Sequence, residues 1–495
     1  MSFGTIATFI LYIVAMLAIG VICYRRNRNL NDFILGSRGL NPGVAALSAG
    51  ASDMSGWLLM GLPGAVYASG LNQMWIAVGL VIGAYLNWQF VAARLRIYTQ
   101  VARDALTIPD YLDNRFQERS RTLRVLTAVV ILLFFTIYVS AGLVAGGVLF
   151  EQTFGLDYQL AVWVGSLSIV AYVFLGGFLA VCWTDTVQGI MMFIALLVVP
   201  IAAVGQVGGW DVAVTRIGAI NPSFNDAFTD MTTFGIVSLM AWGLGYFGQP
   251  HILVRFMAVR TPRDVPLARL INIVWMVCGL YGAIFTGYIG VAYFAQQPLA
   301  NPETVFIQFC QIMFNPWIAG FLLAAILAAV MSTISSQLIV CSSALTEDLY
   351  RPFLRPRASQ RELVLVGRLS VLGLAIIATI LASDPESTVL DLVAYAWAGF
   401  GAAFGPVIIL SLFWRRMNQY GAASGMVAGA VTVVVWKQLE GGIFELYEIV
   451  PGFLVCGLVI VAVSLLPREP ATGVVSDYDR TVAAERTGII PVAAE

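Results

Sequence analysis

Runs of about twenty apolar residues recur from one end of the chain to the other, with short polar segments between them. A helix that crosses a bilayer needs roughly 20 such residues. The alternating pattern of a membrane β-barrel is absent from the sequence. The pattern predicts an all-α polytopic membrane protein of about thirteen spans, with ends fixed only to within several residues. The predicted spans are residues 5–24, 41–67, 71–95, 122–150, 158–180, 184–205, 232–258, 268–295, 316–343, 363–383, 388–413, 420–438 and 449–466.

The basic residues predict how these spans are oriented, because cytoplasmic segments carry an excess of Lys and Arg. If thirteen spans alternate, all but two of the 27 basic residues fall on one face, and the exceptions are Arg216 and Lys437. One span more or less in mid-chain would destroy this division. We therefore expect the N-terminus outside and the C-terminus inside. The basic flank Arg25, Arg26 and Arg28 follows the first apolar run, which predicts a retained helix instead of a cleavable signal peptide.

Composition excludes most other classes of protein. Hydrophobic residues make up 59% of the chain and charged residues 11%, against roughly 25% charged in a soluble domain. The net charge of −1 gives no bias toward nucleic acid. The six cysteines lack metal-ligand spacing, and His251 is the only histidine. The sequence shows no evident nucleophile paired with a base, so we do not expect an enzyme. We also expect no organic cofactor, no nucleic-acid partner and no obligatory protein partner.

The second span contains the segment SAGASDMSGW (48–57), which places an acid, three hydroxyls and two glycines in mid-membrane. A charge there costs about 3 kcal/mol or more unless it is satisfied. The small residues allow the backbone to unwind, and the freed carbonyls then need a partner, for which a bound cation is suitable. The alternative is a helix-packing face of small residues in which Asp53 is paired with another group.

A second interruption lies in the seventh span, in the segment WGLGYFGQP (242–250). Three glycines and a proline in nine residues should break an α-helix. The alternative is a kinked helix with lipid-facing aromatic residues. Interruptions at corresponding positions of two five-span groups are typical of inverted repeats with a substrate site near the bilayer midplane.

The ninth span carries a run of hydroxyl residues in the segment AAVMSTISSQ (328–337). Hydroxyl oxygens in hydrocarbon suit a hard monovalent cation such as Na⁺, although Ser and Thr often bond back to their own helix instead. This segment therefore gains meaning only beside the two broken spans.

The polar segments between spans are short. Residues 96–121 are predicted to be an amphipathic cytoplasmic linker and residues 206–231 an external loop. Residues 297–315 form another external loop, in which Asn301-Pro302-Glu303 is suited to begin a short helix. The polar tail 467–495 is expected to be disordered.

At these segments the chain resembles the sodium/solute symporter family. The stretches that carry the resemblance are SAGASDMSGWLLMGLPG (48–64), GGFLAVCWTDT (176–186), WGLGYFGQPH (242–251), AAILAAVMSTISSQ (324–337) and residues 394–406. The likeness covers about residues 1–468 and is greatest for the bacterial members that carry proline. It implies a secondary active transporter in the bacterial cytoplasmic (inner) membrane that couples Na⁺ entry to L-proline uptake by alternating access.

The resemblance also implies the fold of the leucine transporter (LeuT), with two inverted five-helix repeats. The implied divisions are an N-terminal helix and loop (1–40), a first repeat (41–205), an external loop (206–231), a second repeat (232–413), two C-terminal helices (414–466) and a cytoplasmic tail (467–495).

The resemblance further implies the site residues. A sodium site would comprise the carbonyls of Ala51, Met54 and Ala329 and the hydroxyls of Ser332 and Thr333, with Asp53 in support. The residues implied for proline are Ser55, Gly56, Trp242, Tyr246 and Pro250, with Tyr138 as a weaker candidate. Arg38 and Asp185 match gating or coupling positions on the cytoplasmic side. From physics alone, solvated or paired interfacial charges account for those two equally well.

Rival functions remain open at this point. Within transporters, the substrate could be pantothenate, sialic acid or another small carboxylate. A membrane-embedded sensor on the same fold is disfavoured by the short tail. A channel is disfavoured because ionisable residues within the spans are sparse.

Overall fold

The structure is a computed structural model, and it describes residues 2–24, 30–117, 120–383, 388–466 and 470–487. Within these ranges the chain is helical and has no strand, and the α-helices are joined or extended by irregular, 3₁₀ and π-helical segments, the last at Asn87–Ala92 and Ala344–Leu354. The basic flank Arg25, Arg26 and Arg28 lies outside the described residues.

Ten helices cover the first half of the chain. They are α1 (Phe3–Tyr24), α2 (Leu30–Leu35), α3 (Pro42–Met54), α4 (Gly61–Ser69), α5 (Met74–Leu86), α6 (Ala93–Val101), α7 (Ile108–Phe116), α8 (Thr122–Phe154), α9 (Tyr158–Val207) and α10 (Trp210–Ile220).

Ten more helices cover the second half. They are α11 (Thr233–Met240), α12 (Pro250–Ala258), α13 (Val265–Tyr293), α14 (Val305–Met313), α15 (Pro316–Ser343), α16 (Gln360–Leu381), α17 (Val389–Phe413), α18 (Gln419–Trp436), α19 (Ile449–Leu465) and α20 (Thr472–Thr487).

Helices occupy every segment that the sequence predicts to span the membrane. Nine helical stretches of the described chain are long and apolar enough to cross a bilayer, and 233–248 and 449–465 are shorter apolar ones. The predicted fifth and sixth spans form the single element α9, which is interrupted where Gly177 adopts a φ of +66°. The count of thirteen spans and the sidedness of the termini remain predictions, and "external" and "cytoplasmic" below refer to the predicted sides.

Both predicted helix breaks are present. Helix α3 ends at Met54, and Ser55 turns the chain with φ 29° and ψ −167° before a short 3₁₀ turn and α4. In the seventh span, α11 gives way to a 3₁₀ segment, Ala241–Gly248, and α12 begins at Pro250. A proline suits the first turn of a helix, where its missing N–H leaves no hydrogen bond unmade.

The broken helices lie in the centre of the bundle. Helix α3 packs against α9, α12, α13 and α15, and the segment 241–248 packs between α5 and α17. On α5, glycines allow the two backbones to touch. A Cβ added at Gly83 would lie 2.1 Å from the carbonyl oxygen of Gly243, and one at Gly79 would lie 2.2 Å from that of Met240. The irregular segment therefore rests directly on α5.

The segments outside the bundle are more ordered than the sequence suggests. The external loop 206–231 contains α10, and in 297–315 the side chain of Asn301 caps a short turn that leads into α14, as predicted. Glu303 then accepts hydrogen bonds from the N–H groups of Val389 and Leu390, at 3.2 Å each. This contact ties the external helix to the start of α17.

The expectation of a disordered tail is wrong for residues 472–487, which form α20 on the cytoplasmic face. Glu485 pairs with Arg94 at 3.0 Å, and Asp479 pairs with Arg415 at 2.8 Å. Ala484 packs on α6. The low hydropathy of the tail concealed these contacts, because a polar helix is stabilised here by ion pairs with the basic cytoplasmic ends of other helices. Residues 467–469 and 488–495 lie outside the described part of the chain.

The close packing of α5 on segment 241–248 predicts that Gly83→Ala lowers the thermal stability of the purified protein by several degrees. The added methyl group overlaps a carbonyl oxygen, and overpacking of this kind costs about 1–3 kcal/mol. Gly373→Ala on α16 is the matched control, since nothing lies within 4 Å of a Cβ there. The control should be neutral or slightly stabilising. Equal melting temperatures for the two variants in detergent would contradict the packing.

Candidate functional site

The site is organised by the end of α3. Because this helix stops at Met54, the carbonyls of its last four residues, 51–54, have no partner further along the helix. Two of the predicted sodium ligands, Ala51 and Met54, belong to this set. Both are completely buried, so the freed carbonyls cannot turn to solvent and must be satisfied by other groups.

Helix α15 supplies hydroxyls to this end of α3. The hydroxyl of Ser332 lies 2.8 Å from the carbonyl oxygen of Ala51 and 3.0 Å from that of Ala329. Three of the predicted sodium ligands therefore converge. The next residue of α15, Thr333, is also buried, and its hydroxyl oxygen has no hydrogen-bond partner within the described part of the chain. The buried oxygens of Ala51, Ala329 and Ser332 that converge here suit a hard monovalent cation.

Asp53 is turned toward the second broken helix. Its side chain is buried, one carboxylate oxygen accepts a hydrogen bond from the hydroxyl of Tyr246, and the other has no hydrogen-bond partner among the described residues. The hydroxyl of Tyr138 donates to the backbone carbonyl of Asp53 at 3.2 Å. Asp53 thus links α3 with segment 241–248, which suits a supporting position beside the oxygen cluster.

Aromatic side chains gather between the two breaks. The rings of Trp242 and Trp57 lie 5.8 Å apart, and those of Tyr246 and Trp397 lie 5.2 Å apart at a right-angled tilt of 85°. The indole of Trp397 donates to the carbonyl of Trp242 at 2.7 Å. Trp242 also stacks on Tyr447, with ring centroids 5.7 Å apart. The arrangement forms an apolar wall beside the freed backbone of α3.

The other predicted substrate residues lie around this wall. Ser55 and Gly56 form the turn after α3, and a Cβ at Gly56 would lie 2.7 Å from that of Ala145 on α8. Tyr138 touches the break through its hydroxyl, as described above. Pro250 begins α12 and lines a cavity of only about 20 Å³ with Val254 and Ile339, which extends toward the cytoplasmic side. Space for solute within this cavity is therefore small.

Arg38 fastens the cytoplasmic ends of three segments together. Its guanidinium pairs with Asp104 at 2.9 Å and donates to the carbonyls of Met257 and Ala105, each at 2.8 Å. The interpretation of Arg38 as a paired charge therefore fits its geometry. These bonds would have to break if the cytoplasmic ends of α2 and α12 separated.

Asp185 lies deep in the bundle and is fully buried, so the interpretation of a solvated interfacial charge does not apply to it. It pairs with Arg255 of α12 at 3.1 Å and accepts a hydrogen bond from Ser48 of α3 at 2.7 Å. The Arg255 guanidinium also contacts the hydroxyl of Ser336 on α15. The sequence analysis missed this network. Arg255 gave a signal, since it lies inside the predicted seventh span, near its cytoplasmic end, where a charge needs a partner.

Trp57, Trp397 and Tyr447 were also missed. The first two lie within the stretches that carry the family resemblance, so their presence there was a usable signal. Tyr447 lies outside those stretches. On the external side, a cavity of about 540 Å³ reaches down to Trp242, and Tyr447 forms part of its wall.

Comparisons with known proteins agree with this architecture. The sequence model of the sodium:solute symporter family matches residues 33–429. The sodium/proline symporter of Escherichia coli is 54% identical over 472 residues, which cover 94% of each chain. The high-affinity proline transporter PutP of Bacillus subtilis is 51% identical over 473 residues, covering 94% of this chain and 100% of that protein.

The fold is shared with a solved structure of a Na⁺-coupled sialic acid symporter in a substrate-bound outward-open state. The TM-score is 0.80 at 20% sequence identity, and the match covers 94% of this chain and 99% of the other. The predicted all-α, LeuT-like architecture is thereby confirmed. The family and the relatives are transporters, which confirms the prediction that the protein is not an enzyme. The chain belongs to the sodium:solute symporter family.

Proposed function

We propose that the protein is a secondary active transporter of the bacterial cytoplasmic membrane that couples inward Na⁺ movement to L-proline uptake by alternating access. The observation that carries the proposal is the convergence of buried carbonyl and hydroxyl oxygens where the broken helix α3 meets α15, beside an aromatic wall. The choice of proline is supported by relatives with that named substrate at 51–54% identity.

The sodium ion in this proposal is held by Ala51, Met54 and Ala329 through their carbonyls and by Ser332 and Thr333 through their hydroxyls. Thr333 supports this set, because its buried hydroxyl oxygen otherwise has no partner. Asp53 supplies a negative charge nearby in a supporting position, with one of its carboxylate oxygens engaged with Tyr246. The divisions of the chain into two repeats, residues 41–205 and 232–413, place each broken helix first in its repeat.

The proline site lies between the broken helices. Proline is a zwitterion with a compact apolar ring, so it needs an anion site, a cation site and an apolar surface. N–H groups at the start of a half-helix such as α12 can bind the carboxylate. Carbonyls or hydroxyls near Ser55 and Gly56 can accept from the secondary ammonium. Trp242 and Tyr246 would bury the ring, which contributes about 1–3 kcal/mol.

Coupling follows from the shared backbone of the two sites. Sodium binds from outside and fixes the end of α3 against α15, which prepares the proline pocket, and each ligand raises the affinity of the other by the same factor. The loaded protein then opens inward, which requires the bonds of Arg38 to release. At about −100 mV, one charge moving inward supplies roughly 2.3 kcal/mol before the ion gradient is added.

The first prediction is that proteoliposomes containing the protein accumulate radiolabelled L-proline when an inward Na⁺ gradient is imposed. Replacing external Na⁺ with K⁺ or choline should abolish accumulation. A competition panel that includes pantothenate and sialic acid should leave uptake unchanged. Equal uptake in Na⁺ and K⁺ would rule out the coupling, and stronger competition by either acid than by proline would reassign the substrate.

Asp53→Asn should raise the Na⁺ concentration for half-maximal uptake at least about tenfold. The substitution keeps the shape and an acceptor for Tyr246 but removes a negative charge close to the ion. Asp230→Asn, in an exposed external segment, serves as the control and should behave as the wild type. An unchanged Na⁺ dependence in a well-expressed Asp53→Asn transporter would exclude Asp53 from sodium binding.

Trp242→Ala should raise the KM for proline at least about fivefold, because a buried aromatic surface against the ring is lost. Trp163→Ala provides a matched truncation, since Trp163 is 48% exposed on the surface of α9. Uptake kinetics normalised to the amount of protein in the membrane separate affinity from expression. A KM equal to that of the control variant would show that the proline ring does not bind against Trp242.

A further inference from the structure

The segment between α18 and α19, residues 437–448, has no role in the mechanism described so far. It forms one side of the external cavity of about 540 Å³, and the segment 238–242 and α17 contribute to the other side. Trp242 lies where this cavity meets the aromatic wall of the proposed proline site. The residues of the cavity that matter below are Ser238, Trp242, Ala394, Phe444 and Tyr447.

Tyr447 occupies the junction between the cavity and the site. Its ring stacks on that of Trp242 with centroids 5.7 Å apart and planes inclined by 28°. Its hydroxyl donates to the carbonyl of Ala394 on α17 at 2.6 Å. Its backbone N–H donates to the hydroxyl of Ser238 on α11 at 3.0 Å. A residue from outside the proposed repeats thus contacts both elements that form the opposite side of the cavity.

The segment holds Tyr447 in place through contacts of its own. The indole of Trp436 donates to the carbonyl of Leu446 at 2.9 Å, and Phe444 packs edge-on against the same indole at 4.7 Å. Immediately after Tyr447, α19 is set tightly against α17, since a Cβ added at Gly401 would lie 2.5 Å from the side chain of Ile449. The tyrosine is therefore presented by a braced turn.

Trp242 is consequently enclosed by aromatic rings, with Trp57 on the side of the α3 break and Tyr447 on the side of the cavity. We propose that Tyr447 is a positioning residue of the substrate site, which holds the Trp242 indole over the proline ring and narrows the pocket against the external cavity. The inference rests on the proposed function. It assigns to a segment outside the two repeats a part in setting affinity and ring-size selectivity.

The physical basis is the limited set of orientations left to Trp242. A stacked aromatic neighbour favours one side-chain orientation, and the pocket is then already formed when proline arrives. Without the tyrosine ring, the indole can turn toward the cavity. The pocket then becomes wider, so proline binds less tightly. The affinity for an analogue with a larger ring falls less or rises.

The test compares Tyr447→Ala, Tyr447→Phe and Ile443→Ala in proteoliposomes at saturating Na⁺. Tyr447→Ala should raise the KM for proline about 5- to 10-fold and change the maximal rate by less than about twofold. Tyr447→Phe keeps the stacked ring and should stay within about twofold of the wild-type KM. Ile443→Ala truncates a side chain of the same segment that is 57% exposed, and it should leave the KM unchanged.

Two further readouts separate positioning from a structural defect. L-pipecolate, which has a six-membered ring, should inhibit proline uptake more strongly in Tyr447→Ala than in the wild type. The other two variants should show no such change. Binding of ²²Na⁺ without proline should be retained in all three variants. If Tyr447→Ala does not reach the membrane, Tyr447→Leu, which keeps bulk without an aromatic face, replaces it and should show the same rise in KM.

The inference would be overturned if Tyr447→Ala had the same KM for proline as the wild type and the same inhibition by L-pipecolate. A KM raised as much by Tyr447→Phe as by Tyr447→Ala would also overturn it, because the hydroxyl and not the stacked ring would then be responsible. Loss of ²²Na⁺ binding would indicate a folding role and likewise contradict it. If the wild-type protein itself shows no Na⁺-dependent proline uptake, the proposed function fails, and that result is distinct from each of these.

Discussion

Backbone carbonyls released inside a membrane must find new partners, and in this protein that requirement is met where α3 stops at Met54. Hydrocarbon offers no hydrogen bonds, so the end of a helix in mid-bundle is tolerated only beside polar groups or bound ions. Helix α15 provides such a group in Ser332, whose hydroxyl lies 2.8 Å from the carbonyl oxygen of Ala51. The rest of the site is arranged around this one junction, since the aromatic wall and the buried acid both lie next to it.

The second break gives the junction its connection to the substrate. Segment 241–248 lies close against α5 because Gly79 and Gly83 leave room for its backbone, and it carries Trp242 and Tyr246 to the end of α3. The hydroxyl of Tyr246 then reaches Asp53. A cation bound on one face of α3 and a solute bound on the other would thus act on the same few residues, which is the physical requirement for coupling.

The sequence predicted the helices and their breaks well, but it predicted poorly which residues contact each other across the fold. The breaks at Ser55 and in 241–248 follow from clusters of Gly, Ser and Pro, which allow a helix to unwind within a span. The pairing of Asp185 with Arg255 joins residues 70 positions apart, and Ser332 meets Ala51 across 281 positions. No local pattern encodes such contacts. The tail helix was missed because it packs on α6 and pairs with distant arginines, and Tyr447 was missed because only the fold brings it to Trp242.

The most direct measurement of the central claim is reciprocal binding to the purified protein in detergent. The affinity for radiolabelled proline is measured with and without saturating Na⁺, and the affinity for ²²Na⁺ is measured with and without saturating proline. We expect the two ratios to be equal and clearly greater than one, and we expect Ser332→Ala to reduce both toward one. A proline affinity that is the same in Na⁺ and in K⁺ would contradict the account, because the end of α3 would then not couple the two ligands.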